Sequence, residues 1–292
     1  MSAYLRPSHL DEALDALAAG GPGGAPWVVI AGATDHYPAR VGRAPSEDVL
    51  DLTGIDGLRR IEEVDGGWRI GALTTWTDLV EAPLPPLFDG LRQAARAIGG
   101  LQIQARATIV GNVCNASPAA DGLPNLLAMD AEVELTSVRG SARVPIGAFV
   151  TGNRRTIRSP DELVTGLLVS SPTPDTTVRS TFEKLGSRAY LVISIAMVAA
   201  IAEVGPDGRI ARARIAVGAC SEVAQRLPQL EAALAGLPAA PASADVVAAS
   251  HLAGLTPIDD VRGSADYRRD AAVTLVRRAL ETVLAADVKA AA

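Results

Sequence analysis

An α+β fold is what the sequence predicts, and three observations carry the prediction. Strand-like and helix-like runs interleave through the first part of the 292-residue chain, while its C-terminal third sets two strands ahead of several helices. The length suffices for two ordinary domains with a sizeable core. Apolar residues make up 48% of the chain but aromatics only 3%, so Ala, Val, Leu and Ile must fill that core.

Taken in order, "PSHLDEALDALAAGG" predicts a helix: Pro7 and Ser8 open it, Leu10, Ala13, Leu14 and Leu17 recur at helical spacing, and Gly20-Gly21 ends it. "WVVIAG" reads as a short buried strand and "EDVLDL" as a second. "LRRIEEVDGGWRIGALTT" sets an Asp-Gly turn between alternating stretches, which predicts a hairpin. "PLFDGLRQAARAIGG" is a helix running into a glycine break, and "AEVELTS" and "DELVTGLLV" are strand-like. The Ser/Thr/Pro-rich loop from Ser170 to Thr177 marks a boundary, giving domains at 1–174 (with subdomains of about 1–55 and 56–174) and 175–292. Beyond it, "VISIAMVAAIAEV" and "RIARARIAVGACS" flank "GPDG" as a strand pair. Helices are predicted at "LPQLEAALAGL", "ASADVVAASHLAG" and "SADYRRDAAVTLVRRALETVLAA", with the Ala/Pro tract at 236–244 as a connector.

Composition excludes several functions. The net charge of -6, with both signs interspersed, leaves no polybasic surface for nucleic acid. Two cysteines, Cys114 and Cys220, cannot by themselves hold an iron–sulfur cluster or a cysteine-rich zinc site, and a reduced, cytoplasmic setting is expected. His9, His36 and His251 lack metal-ligand spacing, so no metal site is expected in this chain. The apolar run "YLVISIAMVAAIAEV" is too short for a membrane span and contains Ser194 and Glu203; no targeting segment is expected at the N-terminus. Trp27, Trp68 and Trp76 are expected to pack.

Two loops are unusually bare of large side chains: "IAGATDHY", and "TIVGN" continuing into "CNASPAAD". Small residues let backbone N–H groups converge on an anion, and Thr34, Thr108, Asn112 and Ser117 add hydroxyl or amide groups, so the pair could hold a diphosphate. Singly, each loop is equally well explained by Gly32 or Gly111 turning the chain. Neither has the GxGxxG or GxxxxGK[ST] spacing of nucleotide-binding loops.

In this order, "AGATDHY" resembles the AGGTDL-type motif and "TIVGNVCNASPAAD" the TIGGN-x-x-x-ASP-x-x-D motif of the FAD-binding subunits or domains of molybdenum hydroxylases. That family includes xanthine dehydrogenases and the medium chains of aerobic carbon monoxide dehydrogenases. The resemblance continues through "IGALTTWTDLVEAP", "LLAMDAEVEL", "DELVTGLLV", "FEKLGSR" and "DYRRDAAVTLVRRAL", nearly the whole chain. It implies a two-subdomain FAD-binding domain of the vanillyl-alcohol oxidase/p-cresol methylhydroxylase type with FAD between the subdomains, followed by a domain of a small antiparallel sheet and helices.

The resemblance also implies the residues at the cofactor. The run Val29, Ile30, Ala31, Gly32, Ala33, Thr34, Asp35 and His36 would lie along it, with 32–35 wrapping the diphosphate and Thr108, Gly111 and Asn112 closing from the other side beside Ser117. Asp121 would accept from ribose or ribityl hydroxyls; it is also a possible N-cap for "GLPNLLAMD", and both can hold. Gly99 and Val164 would give backbone or packing contacts. Lys184 would stand near the flavin and favour its anionic reduced form, its plain alternative being a solvated lysine between Glu183 and Arg188. Tyr190 is a neighbour of the flavin ring or a packing residue, and Cys114 a small buried filler. No residue is assigned to catalysis. The sequence departs from the common pattern at Ala33 and Val110, each in place of a glycine, and at His36 in place of an apolar residue; a Cβ at 33 or 110 requires a conventional or a strained backbone.

By the same resemblance the chain is an oxidoreductase subunit that takes electrons from a small [2Fe-2S] subunit, fed by a large molybdopterin subunit, and passes them through FAD to an external acceptor. A dimer of heterotrimers is the implied assembly. Two rivals stand beside it: a self-sufficient flavin oxidase, and a structural subunit that has lost FAD, for which Ala33 and Val110 are the motive.

Overall fold

The computed structural model describes residues 2–42, 44, 46–189 and 191–285. The chain divides into two compact units, one of residues 1–82, 99–116 and 131–169, the other of residues 83–98, 117–130 and 170–292.

In the first unit a parallel three-stranded sheet sets Val49–Asp51 between Tyr4–Leu5 and Val28–Ile30. The helix Leu10–Ala19 buries Ala13, Leu14 and Leu17 and stops at Gly20, whose φ of 76° a side chain would resist. A five-stranded sheet follows in the order Ile61–Val64, Gly67–Gly71, Leu163–Ser170, Glu132–Ser137, Gly140–Pro145. The expected hairpin forms across Asp65-Gly66, with Gly66 at φ 78°. Glu132–Ser137 alternates half-buried and buried residues, the period of two that made it legible. Gly140–Pro145 was not expected, because it is exposed along nearly its whole length and carries no apolar alternation. A two-stranded ribbon, Val150–Gly152 with Arg155–Thr156, turns at Asn153 and Arg154.

The second unit is built on an antiparallel sheet in the order Thr177–Leu185, Ala196–Val204, Ile210–Gly218, Gln225–Arg226. Ala196–Val204 is covered on both faces, which explains its unbroken apolar, alanine-rich sequence. Ala196, Val198, Ala200 and Ala202 join Ala272, Leu275, Val276 and Ala279 of the helix Ala265–Leu284 in one core. On the other face Met197 lies with Gly218 and Pro124, the latter on the helix Gly122–Ala128. Ala196–Val204, the larger part of the run read as too short for a membrane span, is therefore core strand, and among the described residues no helix is long and apolar enough to cross a membrane. Its charged residue is partnered: buried Glu203 accepts from Arg214 at 2.6 Å and from the Thr173 N–H at 3.2 Å. Where a helix was expected at 242–254, the chain forms two short 3-10 turns, Pro241–Val246 and Ala249–Leu252. Trp27 and Trp76 are core residues.

Candidate functional site

Strand Val28–Ile30 delivers the first bare loop, in which Val29 and Ala31 are half-buried and Ile30 buried. Gly32 is required by close approach. A Cβ there would lie 1.9 Å from the Arg106 carbonyl oxygen, so only glycine lets this loop lie against the backbone that leads into the second motif. Ala33 adopts φ 57°, the left-handed conformation that a glycine takes freely and that costs a residue with a Cβ roughly 1–2 kcal/mol. Thr34 and His36 are half-buried and Asp35 is exposed. Burial pushes the His36 imidazole below its usual pKa, and the Arg40 guanidinium adds to that effect.

The second motif is less bare than its composition suggests. Thr108 N-caps a helix, Ile109–Asn115, its Oγ1 accepting from the Gly111 N–H at 3.0 Å. A loop was expected here; the helix forms because capping and the buried face of Ile109, Val110 and Val113 outweigh the poor helix propensity of Gly111 and Asn112. Val110 thus sits in ordinary helical backbone, and of the two departures only Ala33 is strained. A Cβ on Gly111 would meet Thr108 Oγ1 at 2.6 Å, so this glycine protects the cap. Asn112 Oδ1 is buried and has no hydrogen-bond partner among the described residues. A buried amide oxygen left unsatisfied costs roughly 1–3 kcal/mol and requires an explanation.

A residue that sequence reasoning did not single out joins the two loops. Arg154, at the tip of the ribbon, donates from Nη1 to Asp35 Oδ2 at 2.8 Å and to Asn115 Oδ1 at 2.7 Å. Its backbone N–H donates to the Ala116 carbonyl at 2.9 Å. The Arg154 hydrogen bond holds the Asp35 carboxyl below the usual carboxylate range. Nothing in "GNRRT" marks one of its arginines as a bridge.

The other motif residues lie in the second unit. Asp121 stands before the helix Gly122–Ala128 but makes no capping bond, so the N-cap alternative does not hold. Its carboxylate is buried and engaged at both oxygens: Lys184 Nζ lies 2.6 Å from Oδ2, and Ser194 Oγ donates to Oδ1 at 2.5 Å. Lys184 is only 12% exposed at its side chain, so the solvated-lysine alternative fails as well. Desolvation raises the Asp121 pKa, while the attraction of Lys184 opposes it. Ser117 Oγ accepts from the Ala119 N–H at 3.3 Å.

Of the remaining expectations, Gly99 takes φ 53° in the first unit, and Val164 is buried beside the bulge that separates Val164 from Gly166. Cys114, expected as a small buried filler, is half-buried, and desolvation pushes its thiol up to about 11, which keeps it protonated. Tyr190 lies outside the described residues. Among the described residues no group of three or more His, Cys, Asp or Glu gathers as a metal site.

A strand-delivered loop and a capped helix, each carrying a motif and tied together at Arg154, define the class: a mixed helix-and-sheet protein with a ligand-loop pair. Residues 1–172 match the family described as "FAD binding domain in molybdopterin dehydrogenase", and residues 181–283 match "CO dehydrogenase flavoprotein C-terminal domain". The nicotine 6-hydroxylase medium subunit of Paenarthrobacter nicotinovorans is 30% identical over 279 residues, covering 95% of each chain. The carbon monoxide dehydrogenase medium chain of Hydrogenophaga pseudoflava is 27% identical, covering 97% of this chain and 96% of that one. Among solved structures, a chain of reconstituted CO dehydrogenase from Oligotropha carboxidovorans matches with a TM-score of 0.86 at 25% identity, over 97% of this chain and 98% of that chain. The chain belongs to the family of FAD-binding medium subunits of molybdenum hydroxylases, and its relatives are dehydrogenase subunits.

Proposed function

We propose that the chain binds FAD noncovalently, about one equivalent, and serves as the electron outlet of a molybdenum hydroxylase, passing electrons from iron–sulfur clusters of a partner subunit to an external acceptor. The observation that carries the cofactor reading is the buried, unpartnered Asn112 oxygen in the second motif, an acceptor that a ligand hydroxyl or amide would satisfy. The residues present fit the group: glycine at 32 where the loops approach, and an exposed Asp35 and half-buried Thr34 beside them.

FAD, when bound, supplies a carrier that accepts and releases electrons. The chain's own part is to hold it. Residues 29–36 would line one side, with Thr108, Gly111 and Asn112 on the other; Thr108 and Gly111 act by shaping the helix, since their polar groups satisfy each other. Gly99 and Val164 would contribute backbone and packing. The motif resemblance extends the assignment to Ser117, Asp121 and Lys184. For these two charged residues the engaged carboxylate favours a role through Lys184, whose ammonium is paired with Asp121 at 2.6 Å.

The reading further takes residues 1–174 as an FAD domain of the vanillyl-alcohol oxidase/p-cresol methylhydroxylase type and 175–292 as its C-terminal companion. It places the protein in the cytoplasm, in a dimer of heterotrimers with a small [2Fe-2S] and a large molybdopterin subunit. The words "medium subunit" and "medium chain" in relatives' names support an assembly of several chains. Co-expression with the small and large chains is the test. A single complex containing FAD, iron and molybdenum, whose flavin bleaches on adding the organic substrate, is expected. Separate elution, with this chain alone oxidising the substrate, would transfer the case to a self-sufficient flavin oxidase.

A further inference from the structure

Among the described residues of the first unit, the non-glycine positions with positive φ are Ala33 at 57°, Ala116 at 48° and Arg154 at 54°. All three lie at one junction. Ala33 is two residues from Asp35, Ala116 follows Asn115 and closes the second motif's helix, and Arg154 bonds to Asp35, Asn115 and the Ala116 backbone. Left-handed backbone at residues bearing a Cβ persists only where the surroundings over-determine it, and such positions gather where geometry serves function. Stability does not account for the cluster. The Arg154 and Asp35 side chains are 57% and 52% exposed, and exposed ion pairs add little to folding.

We propose that Arg154 is a positioning residue that clamps the two motif loops of the first unit to each other, so that both are in cofactor-binding geometry before the cofactor arrives. The guanidinium suits the task because one planar head answers a carboxylate on one loop and an amide oxygen on the other. The strain at 33 and 116 is what the clamp maintains: freed of Arg154, each loop relaxes toward φ < 0. Preorganisation of this kind raises affinity by removing the ordering cost from the binding step. The inference rests on the FAD reading for its ligand and on the geometry alone for the clamp.

The test therefore has two arms on the full chain. In the ligand-free protein, hydrogen exchange of Arg154→Ala should speed up at least tenfold in both 32–40 and 109–117, while the strands at 196–218 stay as in wild type. In FAD titration the same variant should bind about tenfold more weakly with a near-unchanged melting temperature. Arg154→Lys, which keeps the charge but loses the planar fork, should recover only a small part of the affinity, and Asp35→Asn, which leaves the ribbon untouched, should reproduce the loss at the first loop. Asp35→Asn with Arg154→Ala should be no worse than Arg154→Ala alone. Exchange that is unchanged, or faster in one loop only, overturns the clamp. So does an Arg154→Ala affinity equal to wild type. Wild-type chain that takes up no FAD would fail the FAD reading while the exchange arm still decides the clamp.

Discussion

The polar contacts at one junction of each unit differ in kind. At the motif junction of the first unit they are exposed, join segments far apart in sequence, and coincide with left-handed backbone at Ala33, Ala116 and Arg154. Around Asp121 and Arg268 in the second they are buried: Asp121 pairs with Lys184 and Ser194, and Arg268, 1% exposed, donates to the carbonyls of Ile195 and Ala219 and to Asp260, while its Nε has no partner among the described residues. An exposed pair gains little energy and serves geometry, whereas a buried charge with its partner removed is left uncompensated. The comparison teaches that a motif residue's contacts must be known before its role is. Asp121 and Arg154 both bear charge and both bridge segments, yet truncating one should cost stability and truncating the other should cost binding.

The largest expected effect follows from Arg268. Arg268→Ala removes the donor to the Ile195 and Ala219 carbonyls and empties a buried side-chain site, while Asp260 keeps Arg262; at roughly 1–3 kcal/mol for each carbonyl plus lost packing it should destabilise the chain by about 3–5 kcal/mol, read as a lowered urea midpoint. A shift no greater than that of Arg154→Ala would break the contrast. Lys184→Met, leaving the Asp121 carboxylate buried with Ser194 alone, should cost about 3 kcal/mol, and adding Asp121→Asn should restore part of it. If the double variant is as unstable as the sum of the singles, the two residues are not a pair.

A smaller effect concerns pH. The hydrogen bond from Arg262, with Arg268 nearby, holds the Asp260 carboxyl at about 2 in the folded chain, below its unfolded value. Its contribution is therefore fully present above the unfolded pKa and lost as pH falls toward about 2. Wild type should lose stability across that acid range more steeply than Asp260→Asn, and parallel urea-midpoint curves would contradict the assignment. Smallest is Ala33→Gly. Relief of the left-handed Cβ should stabilise the ligand-free chain by up to about 1 kcal/mol, offset in part by the freer unfolded glycine. A lower melting temperature would mean that Ala33 is not strained.

Much of the fold was legible because the decisive signals were local. Glu132–Ser137 showed its alternation, Asp65-Gly66 its turn, and Ala196–Val204 its length and small residues. Gly140–Pro145 was hidden because an exposed edge needs no apolar period, and Ile109–Asn115 because its cap, Thr108 to Gly111, looks like a glycine loop until the hydroxyl is seen to bond. The motif residues could be named from resemblance, but their states could not. The partners of Asp121 are 63 and 73 residues away, and the bridge from Arg154 to Asp35 spans 119. Arg268 reads in sequence as one more charge on a solvated helix, and only the packing of that helix against Ile195 and Ala219 reveals it as buried.

The central claim, that the first unit's motif junction is built for a cofactor rather than for folding, is tested most directly at Asn112. FAD titrations and melting curves of wild type and Asn112→Ala should be measured side by side. Because Asn112 Oδ1 has no partner among the described residues, the substitution should leave the ligand-free melting temperature unchanged or slightly higher. FAD should bind wild type at about one equivalent and the variant about three- to tenfold more weakly, the worth of one lost hydrogen bond of roughly 0.5–1.5 kcal/mol. A variant that melts several degrees lower yet binds FAD as wild type does would contradict the account.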